Sequence, residues 1–179
     1  MYPQIIQYIF NSMRIFTTIL LILLSCSIDA QRSISRIMDE NIFSSIDGQE
    51  KSFKELIKEN KGKVCYIDFW ASWCGPCRKE MKYSKKMHET LKDENIVFLY
   101  ISIDEQKEAW IKSMNNLAIT ESGLHYRRKQ SEMMDFLKYF YIYSIPHYMI
   151  IDAKGNIHNR DALAPSDPKL IRQLKKLLR

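Results

Sequence analysis

The sequence predicts an α/β domain: a central mixed β-sheet flanked by helices, with a short β-hairpin added on its N-terminal side. Three observations carry this. Two runs, Val64 to Phe69 and Ile96 to Ile103, are almost continuously apolar and of strand length, the signature of strands buried on both faces. The sequence between them is charged and helix-favouring, so the pair reads as a β-α-β unit with parallel strands and a right-handed crossover. Further on, Tyr148 to Asp152 and Ile157 to Arg160 flank the turn Ala153-Lys154-Gly155-Asn156, which supplies an antiparallel half.

The length of 179 residues suits one domain with a sizeable core and an N-terminal extension. The 27 basic and 21 acidic residues give a formal charge of +6. Removing residues 1 to 25 takes away only Arg14 and leaves +5. The basic residues are spread among acids, without a basic stripe interleaved with aromatics, so nucleic acid is not an expected partner.

Near its N-terminus the chain has a basic residue and a short apolar core, Arg14 followed by Ile15 to Leu24. About ten apolar residues are few for a bilayer-spanning helix, and the position is that of an export signal. Met13 is an alternative start for such a signal. Two processing readings compete: Leu23-Leu24-Ser25-Cys26 has the form of a lipobox that would lipidate Cys26 and tether the protein, whereas Ile28-Asp29-Ala30 ends as a simple cleavage site does. Residues 1–30 are therefore read as a signal peptide or lipoprotein signal, 31–40 as a polar linker, and 41–179 as the folded domain.

Within that domain, Ile42 to Ile46 and the turn signal Asp47-Gly48 predict a strand and hairpin. Ser52 reads as the N-cap of a helix from Phe53 to Glu59, with Gly62 ending the helical region. The strand Val64 to Phe69 follows, then a helix from Pro76 to about Lys92. Asp104 reads as the cap of a helix from Glu105 to Asn115. Residues 117 to 145 are ambiguous. Ser131 to Tyr141 has helical spacing, and its aromatic cluster, Phe136, Tyr139, Phe140, Tyr141 and Tyr143, reads as packing. The tail, capped near Ser166-Asp167-Pro168, is an amphipathic helix through Leu170, Ile171, Leu174, Leu177 and Leu178.

Four cysteines are present, Cys26, Cys65, Cys74 and Cys77, and only the last two form a close pair. The pair stands where a strand turns into a helix. A sulfur at a helix N-terminus meets unpaired backbone amides and the positive dipole end, which favour a thiolate, so Cys74 reads as the nucleophile. Cys77, one turn deeper, can close a disulfide with it and reads as the resolving thiol. Cys65, inside the strand, reads as a small buried hydrophobe. Structural zinc is not expected: no second Cys-x-x-Cys follows, and His88, His125, His147 and His158 stand isolated in the sequence.

The run Asp68-Phe69-Trp70-Ala71-Ser72-Trp73-Cys74-Gly75-Pro76-Cys77 resembles the active site of the thioredoxin superfamily. With Arg78-Lys79-Glu80 and the export segment, it is similar to the TlpA/ResA-like branch of extracytoplasmic thiol-disulfide oxidoreductases. The resemblance implies a thioredoxin-like fold in which Cys74 and Cys77 form the redox-active disulfide. It implies Asp68 as a buried general acid/base for Cys77, working through water, and Glu80 as a further participant. Trp70 and Trp73 would shield the disulfide.

The resemblance also implies that Trp73, Gly75, Pro76, Ile145 and Pro146 form the substrate-binding surface, Pro146 as a cis-proline and Ile145 pairing its backbone with an extended substrate segment. His147 reads as the start of a strand. Gly75-Pro76 favours a reductant by resemblance. The implied partners are protein disulfides and a membrane or periplasmic electron donor. The implied location is extracytoplasmic, either in the periplasm or anchored facing it. The chemistry is carried by sulfur and implies no cofactor and no metal. A disulfide oxidase or isomerase and a non-catalytic binding or metal-handling module are the alternatives.

Overall fold

The computed structural model describes residues 2–129 and 133–178. It divides into two units, Met1–Met38 and Asp39–Arg179.

One helix, α1 (Pro3–Asp39), makes up the first unit. The segment expected to be a polar linker, 31–40, is therefore helical over all but its end. The physical reason lies in composition: no glycine or proline occurs between Pro3 and Gly48, so nothing interrupts the backbone hydrogen bonds. The stretch Gln7–Asp39 is long and apolar enough to cross a membrane by length and composition, a property that signal sequences share.

The second unit is a seven-stranded sheet in the order β2-β1-β5-β4-β3-β6-β7. The expected hairpin is β1 (Phe43–Ser45) and β2 (Glu50–Lys51), joined through a turn with Gly48 at φ +89°. Helix α2 (Phe53–Glu59) starts in a capping box: the Ser52 hydroxyl accepts from the Glu55 amide, and the Glu55 carboxylate accepts from the Ser52 amide. The centre is β3 (Val64–Trp70), α3 (Gly75–Leu91) and β4 (Ile96–Ser102), with β3 and β4 parallel and in register from Val64 opposite Ile96 to Trp70 opposite Ser102. This is the expected β-α-β unit.

Helix α4 (Lys107–Leu117) follows, with Gln106 at its N-cap position and no side-chain cap. Asp104 is thus not the cap that the sequence suggested; its carboxylate is turned inward to Ser72 and Ser102. The ambiguous region contains a strand that was not expected, β5 (Leu124–Arg128), parallel to β4 and antiparallel to β1. Helix α5 (Met133–Tyr139) comes next. Ser131, where the expected helix began, lies outside the described residues. Strand β6 (His147–Ile151) runs antiparallel to β3, β7 (Ile157–Asn159) forms the edge, and α6 (Leu170–Leu177) closes the domain. The start of α6 departs from expectation too: Lys169 occupies the N-cap position without a side-chain cap, and the Ser166 amide donates to Glu80.

Both faces of the sheet are covered. On one, Tyr66, Trp70, Phe98, Tyr100, Tyr148 and Ile150 join Cys77, Met81, Met87 and Leu91 of α3 in one buried cluster. On the other, Phe43, Phe53, Phe69, Phe136 and Phe140 form a mesh of ring contacts, with Phe53 and Phe136 edge-on at 5.0 Å. The aromatic cluster of the sequence splits here: Phe136 and Phe140 are core, while Tyr141 and Tyr143 are exposed.

Candidate redox site

Burial of all seven residues of β3 fixes where the chain emerges next. It leaves the sheet at Trp70, whose carbonyl accepts from the Ile103 amide at 2.9 Å, and turns through Ala71 to Trp73, where the Cys74 amide donates to the Ala71 carbonyl at 3.1 Å. Cys74 is the N-cap of α3, and its Sγ accepts from the Cys77 amide at 3.1 Å. Pro76 sits in the first turn, where an amide hydrogen has no intrahelical partner to lose. The two sulfurs are joined in a disulfide with the Cα atoms 5.3 Å apart. Cys74 and Cys77 are both buried, whereas Trp73 stands 66% exposed beside them. Trp70 is wholly buried beneath the turn. A Cβ at Gly75 would meet nothing within 4 Å.

The turn is fastened from behind. The Asp104 carboxylate accepts from the Ser72 amide at 2.8 Å, the Ser72 hydroxyl at 2.6 Å and the Ser102 hydroxyl at 2.7 Å. Arg127 donates to the carbonyls of Asp104 and Glu105. Sequence reasoning missed this set; the signal that pointed to it was a short Ser-x-Asp just past a buried strand.

Asp68 is buried on the same sheet face as α3, and its Oδ1 has no hydrogen-bond partner among the described residues. Burial, and secondarily the Glu80 charge, push its carboxyl well above the usual carboxylate range. Glu80, three residues beyond Cys77, accepts the Ser166 amide at 2.9 Å and so ties α3 to the segment before α6.

Across the sheet, the Ile145–Pro146 bond is cis, and Ile145 packs against the cluster that contains Cys74 and Cys77. Trp73, Ile145, Ile103, Leu137 and Tyr143 line a groove of about 310 Å³. His147 opens β6, with its Nε2 at 2.6 Å from the Arg160 carbonyl.

Cys65 is buried, and burial pushes its thiol up to about 11. Two histidines that stand isolated in the sequence are not isolated in space. The Tyr100 hydroxyl lies 2.9 Å from His88 Nε2 and 2.6 Å from Ser84 Oγ, and the His125 ring stacks on Tyr100 at 4.8 Å. Among the described residues, no group of three or more His, Cys, Asp or Glu side chains is placed to hold a metal ion.

A strand-turn-helix carrying a Cys-x-x-Cys disulfide, with a cis-proline just before an antiparallel neighbour of that strand, defines a thioredoxin-type redox domain. Residues 61–157 match a family model described as thioredoxin-like, and the chain belongs to that family. Thioredoxin of Coprinus comatus is 38% identical over 68 residues, covering 36% of this chain and 64% of its own. The thiol-disulfide oxidoreductase ResA of Bacillus anthracis is 24% identical over 116 residues, covering 65% of this chain and 62% of its own. The chain thus spans somewhat less than two thirds of these relatives. A candidate thiol-disulfide oxidoreductase from Bacteroides vulgatus, solved in solution, superposes with a TM-score of 0.66 at 31% identity, covering 76% of this chain and 85% of that one.

Proposed function

We propose that this chain is a thiol-disulfide oxidoreductase that reduces protein disulfides outside the cytoplasm through a Cys74/Cys77 dithiol-disulfide cycle. The observation that carries the reading is the Cys74–Cys77 disulfide at the N-terminus of α3. In the reduced protein the Cys74 thiolate, favoured by the helix terminus and the Cys77 amide, attacks a substrate disulfide and forms a mixed disulfide. Cys77 then attacks Cys74 Sγ, giving its proton to Asp68, and the substrate leaves as a dithiol. Trp73, Gly75, Pro76, Ile145 and Pro146 form the docking surface, where the Ile145 backbone pairs with an extended substrate segment. Glu80 supports the site by fixing α3 to the segment at Ser166.

Residues 1–30 serve as the export or lipoprotein signal, with Cys26 as the lipidation point in the second case, and the domain from 41 to 179 faces the periplasm. The apolar character of α1 near the N-terminus supports this reading. An electron donor in the membrane or periplasm re-reduces Cys74–Cys77.

The test is the reduction potential of the couple, measured by equilibration with glutathione and counting of trapped thiols. A value near about −270 mV, the thioredoxin range, supports a reductant; one near about −120 mV makes the protein an oxidant. Failure to form a reversible intramolecular disulfide overturns the enzymatic reading in favour of a binding module.

A further inference from the structure

Among the buried polar atoms on the α3 side of the sheet that lack a hydrogen-bond partner among the described residues, two belong to side chains set opposite each other: Asp68 Oδ1 and the Tyr148 hydroxyl. The antiparallel pairing of β3 with β6 sets Asp68 directly opposite Tyr148. Opposed residues project to the same face, with Cβ atoms roughly 4.5–5.5 Å apart. The two side chains are 2% and 4% exposed, so water does not freely satisfy either.

Three phenols surround Asp68, and only one is unengaged. Tyr66, two residues away on β3, donates to the Leu163 carbonyl at 2.8 Å. Tyr100, opposite Asp68 on β4, has its hydroxyl between Ser84 and His88. Tyr148 stacks its ring on Tyr66, centroids 5.6 Å apart and planes within 18°, and its hydroxyl is the one left without a partner among the described residues. A buried hydroxyl without a partner destabilises a protein by about 1–3 kcal/mol. Its retention makes sense where a partner arises in another state of the cycle.

Asp68 supplies that state. Tyr100 and Tyr148 stand opposite it on the neighbouring strands, Tyr66 lies two residues away on the same face, and Cys77 of α3 belongs to the cluster on that face; burial, and secondarily the Glu80 charge, disfavour its ionised form. To take the Cys77 proton it must first be ionised, and a hydrogen bond donated to the carboxylate is what opposes those two effects.

We propose that Tyr148 is a positioning residue for the redox step, its hydroxyl donating to the Asp68 carboxylate when that carboxylate accepts the Cys77 proton. The inference rests on the oxidoreductase reading of the Cys74–Cys77 pair. In the step concerned, the Cys77 S–H bond breaks and its proton passes to Asp68. A Cys77–Cys74 S–S bond forms, and the bond between Cys74 and the substrate sulfur breaks. The substrate thiolate departs with the electron pair and takes a proton from solvent. Asp68 returns its proton to solvent before the next turnover.

The experiment is a single-turnover reaction of the reduced full-length protein with a disulfide-bridged peptide, quenched in acid and read by mass as mixed disulfide formed and lost. In Tyr148→Phe, which keeps the ring and its stacking, the mixed disulfide is expected to decay about tenfold more slowly at pH 7. The pH midpoint of that decay should rise by about one unit. Asp68→Asn should slow decay at every pH, and Tyr66→Phe should leave the midpoint in place. An unchanged midpoint in Tyr148→Phe beside a slowed Asp68→Asn overturns the proposal and leaves the oxidoreductase reading standing. An equal shift in Tyr66→Phe also overturns it, since loss of any buried hydroxyl would then suffice. If the wild-type protein forms no mixed disulfide at all, the oxidoreductase reading falls and takes this proposal with it.

Discussion

Asp104 and Ser72 are 32 positions apart in the chain, yet the Asp104 carboxylate accepts both the amide and the hydroxyl of Ser72, at 2.8 and 2.6 Å. This pair of hydrogen bonds between the segment just after β4 and the turn before Cys74 converts a short connecting loop into a fixed mount. The third acceptor contact, from the Ser102 hydroxyl, anchors Asp104 to its own strand.

Hydrogen bonds to a charged acceptor are worth about 1.5–3 kcal/mol each, more than neutral ones. Ser72→Ala, which removes one of the three, is expected to lower unfolding stability by about 1–2 kcal/mol. Asp104→Ala, which leaves the Ser72 and Ser102 donors unpaired, should lower it by about 3 kcal/mol or more. Urea unfolding of the oxidised proteins checks both; equal stability of Asp104→Ala and wild type would remove the mount from the account.

The paired histidines predict an acid-sensitive fold. Burial holds both His88 and His125 down to about 4, and for His88 the nearby His125 adds to the effect. In the unfolded chain each titrates near about 6.5, so the unfolded state binds protons first as pH falls. The stabilising effect of keeping them neutral is complete above about pH 6.5 and is lost progressively from there down to about 4. His125, only 6% exposed, should account for about 1–2 kcal/mol between pH 7.5 and 4.5, with His88 adding less because solvent screens it. Urea midpoints across that range test this, and a His88→Gln, His125→Gln double variant should flatten the slope.

Gly123 predicts a backbone effect at a distance from the sulfurs. It has φ +149°, and a Cβ built there would lie 2.4 Å from the Phe98 carbonyl oxygen. Gly123→Ala must shift the entry of β5, the strand that carries His125 and Arg127. A loss of about 2 kcal/mol or more is expected, read as a lower thermal midpoint. An unchanged midpoint would mean that the two backbones separate without resistance.

The parts of the molecule that were legible in the sequence are those whose information is local. Val64 to Phe69 is apolar enough to be a central strand in any context, and Cys74, Gly75 and Pro76 follow it as a turn and helix start. Asp68 was legible by its place six residues before Cys74, which matches the buried acid of the family that the run resembles. What was illegible depends on partners elsewhere. Leu124 to Arg128 has two arginines in five residues and becomes a strand because β4 and β1 receive it on either side. Asp104 has the local look of a helix cap, but three donors supplied by Ser72 and Ser102 outcompete the helix amides. The Tyr100 contacts of His88 and His125 follow from packing of α3 and β5 on β4, which spacing along the chain does not encode. Tyr141 and Tyr143 alternate with the buried Phe140 and Ile142 past the end of α5 and face outward, an alternation that aromatic composition does not reveal.

The seclusion of Cys65 gives thiol chemistry on this protein a built-in clock. With Cys26 replaced by alanine, a labelling reagent at neutral pH should find no reactive sulfur in the folded, oxidised chain. Cys74 and Cys77 should appear only after reduction. Any third label then reports opening of β3 itself, so one mass spectrum separates redox state from loss of structure.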